Sequence, residues 1–175
     1  MKNSVTNDKM IRKLIFIRHA KAEDQVPEIS DFERSLTAKG KRDSRLMARI
    51  LKSKEKDPGT VITSPAFRAV ETAIIFCREF DISPDEIVLM SDLYSGLETE
   101  EFIPLIARQD NDVHAVTIFG HNSLITEMAA FFAADEPKVL PKTGIFCVSF
   151  NAASWADIKP ESGTTEYFLV PKSLL

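Results

Sequence analysis

The sequence predicts an α/β fold: a three-layer α/β/α sandwich around a mostly parallel central sheet of about six strands. Three observations carry that expectation. Short β-rich apolar runs recur at residues 14–17, 60–63, 87–90, 115–119, 145–150 and 166–170. Segments with helical apolar spacing lie between them. The runs are continuous rather than alternating, as expected of strands covered on both faces by helices. In such folds ligands collect where the carboxyl ends of strands meet helix N-termini.

Taken in order, the first strand is Leu14-Ile15-Phe16-Ile17, and it stops at Arg18-His19. Residues 1–12 are mostly polar and read as a tail ahead of one domain spanning 13–175. Leu46, Met47, Ile50 and Leu51 mark the first helix, and Pro58-Gly59 turns the chain into the second strand. Ser64-Pro65 follows that strand; proline suits a first helical position, where no amide hydrogen is needed. Ala69, Val70, Ala73, Ile74 and Cys77 give the second helix its apolar face. A third is expected after Thr99, with Phe102, Leu105 and Ile106 inward. A fourth is expected over 123–132, with Leu124, Ile125, Met128 and Phe132 inward. Pro84, Pro137, Pro141 and Gly163 punctuate connections rather than separating domains.

With 175 residues, 44% hydrophobic and 27% charged, the chain has the size and balance of one globular domain. A net charge of −4 gives no general attraction to nucleic acid or an anionic membrane, so neither is expected as a partner. Cys77 and Cys147 sit in apolar runs without metal spacing and read as buried thiols. No signal-like or membrane-length apolar stretch occurs, so a soluble cytoplasmic protein is expected.

Three strand ends then present chemistry. Arg18-His19 closes the first strand. Val61-Ile62-Thr63-Ser64-Pro65-Ala66-Phe67-Arg68 leads from the second strand into a helix carrying Arg68. Val116-Thr117-Ile118-Phe119-Gly120-His121-Asn122 delivers a second histidine. A phosphoryl group needs donors for its equatorial oxygens and an in-line nucleophile. Arg18 and Arg68 present planar charged forks suited to phosphate. One neutral imidazole can attack phosphorus while another, protonated, binds developing negative charge.

The strand ending in Arg-His, the Ser-Pro-x-x-Arg-Ala-x-x-Thr-Ala segment and the Gly-His-Asn turn, in that order, resemble the histidine phosphatase superfamily. The resemblance implies a phosphoglycerate mutase-like fold, with His19 as the phosphorylated nucleophile. It also implies a phosphate pocket of Arg18, Arg68 and His121, and neither metal nor cofactor. Arg-His-Ala-Lys-Ala and the segment from Asp31 to Gly40 are similar to the SixA-type phosphohistidine phosphatase branch, along nearly the whole chain after residue 13. Ala20 stands where most superfamily members have glycine.

The carboxylate motif that larger members place after the third strand is missing. Glu98, Glu100 and Glu101 follow Leu93-Tyr94 without the expected glycine pattern, while Asp24 and Asp31 read individually as solvated or capping residues. A phosphoramidate needs less acid assistance than a phosphate ester. The expected activity is therefore hydrolysis of phosphohistidine on a protein, such as a histidine phosphotransfer domain, through phospho-His19. The alternatives are a phosphatase of small phosphomonoesters and a noncatalytic phospho-binding module.

Each residue also has a plainer reading. Arg68 could pair with Glu71 or with Asp residues across a helix; Arg34 could extend a basic rim toward a protein substrate or pair with the flanking Asp31 and Glu33; Gly120-His121-Asn122 could be only a turn. The convergence of three strand ends outweighs these readings for Arg18, His19, Arg68 and His121. Thr63, Ser64 and Asn122 are expected to make turn or cap hydrogen bonds, with Asn122 and Ser64 as candidates for supporting the pocket from behind. His114 resembles nothing catalytic, and Phe76, Phe80, Phe131 and Phe132 are read as core.

Overall fold

The computed structural model describes residues 10–134 and 139–171. Residues 1–9 of the expected tail, and Pro137, lie outside the described residues.

Six strands form one sheet: β1 (Met10–Arg18), β2 (Thr60–Thr63), β3 (Val88–Leu89), β4 (Ala115–Gly120), β5 (Ile145–Ala152) and β6 (Thr164–Leu169). Their spatial order is β3-β2-β4-β1-β5-β6. β3, β2, β4 and β1 run parallel, and β5 runs antiparallel to both of its neighbours. The helices are α1 (Ala38–Lys54), α2 (Phe67–Glu79), α3 (Asp92–Ser95), α4 (Ile103–Ile106) and α5 (Leu124–Phe132).

The pleat of β1 separates two cores. Leu14 and Phe16 point to one face with Phe102, Ile106, Met128 and Phe132 from the α4 and α5 region. Ile15 and Ile17 point to the other, against Met47 and Leu51 of α1 and Ala73 and Phe76 of α2. These two faces are the outer layers of the expected sandwich, and each fully buried aliphatic or aromatic side chain contributes about 1.5–3 kcal/mol.

Register decides where the three strand ends meet. Arg18 lies opposite Gly120, and Thr63 lies opposite Phe119. β1, β4 and β2 are adjacent and stop at one level, so the residues that follow each strand share one rim.

Several boundaries differ from the sequence reading. β1 begins at Met10, because β5 pairs with it down to Met10–Ala152, so residues 10–12 belong to the sheet rather than to a tail. Arg12 disguised this strand: its guanidinium is fully buried, donates to the carbonyls of Asn111, Val113 and Ala153, and lies 5.5 Å from the Trp155 ring centre. The run 87–90 yields only two edge-strand residues, Val88 and Leu89, both exposed. The third helix is a 3-10 turn over Thr99–Phe102 followed by the short α4. Pro65 precedes α2 instead of starting it, because Ala66 is the extended N-cap and its amide donates to Ser64 Oγ at 3.3 Å.

Cys77 and Cys147 are buried free thiols, and burial pushes them up to about 11 and about 12. Among the described residues no helix is long and apolar enough to cross a membrane.

Candidate active site

His19 continues β1 by donating its amide to the Gly120 carbonyl at 3.0 Å, and its side chain is only 8% exposed. Its Nδ1 lies 2.7 Å from the Ala20 carbonyl. A carbonyl only accepts, so Nδ1 carries the proton and Nε2 keeps a lone pair. Burial, partly opposed by that hydrogen bond, lowers the imidazole to about 3, with His121, Arg68 and Arg18 adding to the effect. At neutral pH His19 is an uncharged imidazole with a defined nucleophilic nitrogen.

Backbone contacts hold this turn from two sides. The Ala20 amide donates to Thr72 Oγ1 at 3.1 Å, and Thr72 Oγ1 donates to the Arg68 carbonyl at 2.6 Å, joining the turn to the start of α2. From the other side, Thr143 donates its amide to the carbonyls of Arg18 and His19 at 3.1 and 3.4 Å. Thr143 sits at φ 62°, an unfavourable conformation for a β-branched residue that its burial in the site's backbone network sustains.

His121, just past β4, places its ring centre 4.9 Å from that of His19. Its Nε2 is 2.8 Å from Ser64 Oγ, and its Nδ1 is buried without a protein partner. Burial lowers His121 to about 4; Arg68 and Arg18 push the same way, and Asp31 opposes them. Both imidazoles are therefore neutral before an anion arrives. An anion bound beside His121 would favour its protonation.

Arg18, the last residue of β1, lies close enough to both imidazoles to help lower them. Its Nη1 donates to the Leu140 carbonyl at 3.0 Å, its Nε is buried without a partner, and burial lowers its pKa. Asn122 donates to the same carbonyl at 3.0 Å and accepts from Thr126 Oγ1 at 2.9 Å, so it braces the wall on which Arg18 rests. Ser64 contacts His121 directly. Both residues expected to support the pocket thus take hydrogen-bonding positions beside it.

Arg68, in the first turn of α2, is nearly buried and pairs with Asp31 rather than Glu71. Glu71 instead accepts the Leu36 amide and faces Lys41 at 3.4 Å. Asp31 also accepts from Arg34 at 2.7 Å and from the Tyr94 hydroxyl at 3.3 Å. Burial alone would raise the Asp31 carboxyl, but the bonds from Arg34 and Arg68 outweigh it and hold it below its usual range. Sequence reasoning missed Asp31 as a partner of Arg68, and also missed Tyr94, whose ring meets His121 edge-on at 5.8 Å. Thr72 was visible only as the threonine of the second motif.

Of the other carboxylates considered, Asp24 is exposed. Glu98 and Glu101 form a reciprocal capping box at the 3-10 turn, and Glu100 accepts from Thr99. Among the described residues no three His, Cys, Asp or Glu side chains form a metal-ligand group.

Residues 14–96 match the family model of the histidine phosphatase superfamily (branch 1). No curated protein matches the chain at a significant level. A solved structure of the protein histidine phosphatase SixA complexed with tungstate is similar over 93% of this chain and 99% of that one, with 23% identity and a TM-score of 0.75. A candidate phosphohistidine phosphatase SixA from Agrobacterium tumefaciens is similar over 91% and 98%, with 23% identity and a TM-score of 0.75. A mycobacterial glucosyl-3-phosphoglycerate phosphatase is similar over 89% and 97%, with 14% identity and a TM-score of 0.63. The family match is confined to residues 14–96, and the fold of these solved phosphatases extends over most of the chain.

Proposed function

We propose that the chain is a histidine phosphatase of the SixA type, hydrolysing phosphohistidine on a protein without a metal ion, through a phospho-His19 intermediate. The observation that carries the reading is the His19 ring: buried, neutral, with Nδ1–H fixed on the Ala20 carbonyl and Nε2 free. Nε2 attacks phosphorus while the phosphorus–nitrogen bond of the substrate breaks, and the departing imidazole takes a proton from water. Arg18, Arg68 and protonated His121 hold the equatorial oxygens. Water then attacks phospho-His19, giving inorganic phosphate and the free imidazole.

The carboxylates support this choice of substrate. Asp31 is held ionised by two arginines, and Glu98 and Glu101 are committed to their capping box. An alkoxide leaving group would require a positioned acid, whereas an imidazole leaving group does not. Two buried free thiols agree with a reducing cytoplasmic setting. The small-ester reading draws on the likeness to glucosyl-3-phosphoglycerate phosphatase, which is lower in identity and TM-score than the SixA likenesses.

Measured kcat/KM on a histidine-phosphorylated phosphotransfer domain, free phosphohistidine and p-nitrophenyl phosphate tests the reading. The phosphoprotein is expected to be preferred, with EDTA having no effect. Equal efficiency on all three would exclude the assignment.

A further inference from the structure

A groove of about 550 Å³ has Arg18 of the proposed phosphate pocket among its lining residues. Lys21, Lys39 and Lys142 also line it, with Asp43 as the single carboxylate among its described lining residues. Asp43 is already paired with Lys39 at 2.8 Å. The chain as a whole carries 26 acidic against 22 basic residues, so four cations facing one committed carboxylate reverse its overall balance. Between the charges the surface is apolar. Phe168 is anchored on Phe146 with ring centres 6.0 Å apart, and Val139 stands 70% exposed. An exposed apolar strip rimmed by cations is the character of a protein-docking surface.

We propose that this groove seats an acidic segment of the phosphoprotein substrate, one with an apolar face, next to its phosphohistidine. The inference rests on the protein-phosphohistidine reading above and adds where that protein is held. Continuity supports it: Arg18 itself lines the groove, so a segment lying there meets a residue of the proposed phosphate pocket. Charge complementarity selects an acidic occupant, which the lysines would also steer during encounter. A net charge of −4 opposes nucleic acid or an anionic bilayer on the wider surface, and favours a small acidic patch that touches only the groove.

The test is the double variant Lys21→Glu, Lys142→Glu, whose lysines are both exposed and lie outside the four pocket residues. On a histidine-phosphorylated phosphotransfer domain, kcat/KM is expected to fall by about tenfold or more, chiefly through KM, while turnover of free phosphohistidine stays within about twofold. Added salt should reduce the wild-type rate on the phosphodomain and leave the variant's nearly flat. A wild type that prefers the phosphodomain, with a variant that keeps that preference, would overturn the groove and leave the function standing. A wild type that treats phosphodomain and free phosphohistidine alike would overturn both. Binding of wild type but not variant to phosphatidylglycerol vesicles, with phosphodomain turnover equal, would reassign the groove to a membrane.

Discussion

Arg68 holds Asp31 at two points, donating from Nη1 to its backbone carbonyl and from Nη2 to its carboxylate at 2.8 Å. The arginine proposed to bind phosphate is thus braced by a carboxylate 37 residues away in sequence. The bond pre-orients the guanidinium and places one negative charge beside a site for anions. Asp31→Asn keeps the hydrogen-bonding shape and removes that charge, so tungstate is expected to bind about fivefold more tightly. Calorimetric titration checks this, and weaker binding would contradict it. Arg68→Ala should fold and lose about 10²–10³-fold in kcat.

His19 and His121 make acid stability a second test. Their folded values of about 3 and about 4 lie below the 6.5 of an unperturbed histidine. Between those limits the unfolded chain binds protons that the folded chain refuses, so stability is highest above pH 6.5 and falls as pH drops toward 4. Asp31, with its depressed pKa, loses its contribution further down in the same direction. The urea midpoint should therefore decline from pH 7 to pH 4, and His19→Asn with His121→Asn should flatten that decline. Equal slopes in wild type and variant would contradict the burial argument.

Gly40 tests how the nucleophile turn is supported. A Cβ there would collide with the Lys21 carbonyl oxygen, so α1 approaches the segment following His19 only because the side chain is absent. Gly40→Ala is expected to cost about 1–3 kcal/mol, seen as a lowered Tm, with reduced turnover because the displaced backbone follows His19 directly.

Ser64 holds His121 through its hydroxyl, 2.8 Å from Nε2. Ser64→Ala should lower kcat by about tenfold with little change in Tm, and Ser64→Thr should recover much of the loss by restoring the hydroxyl. Equal activity in all three proteins would show that His121 needs no such support.

The meeting of the three strand ends was legible because Arg18-His19, Ser64 and His121 stand where apolar runs stop, and parallel pairing of adjacent strands brings such ends to one rim. What stayed hidden depends on contacts distant in sequence. Arg12 and Lys13 obscured the start of β1, since nothing local shows that Arg12 is capped by carbonyls about a hundred residues away. Asp31 reads as an ordinary loop carboxylate until the fold sets it on Arg68, and Tyr94 gains its position from the four-residue helix α3, too short to leave a periodic pattern. The connection carrying Leu140 and Thr143 has no motif either; its role is to offer a carbonyl to Arg18 and an amide to the turn at His19.

The most direct measurement is rapid-quench labelling with a phosphotransfer domain carrying radioactive phosphate on histidine, comparing wild type with His19→Ala. The account predicts enzyme-bound label that is acid-labile and base-stable, present in wild type and absent from the variant. Turnover that survives the loss of His19, or label that remains on the variant, would contradict it.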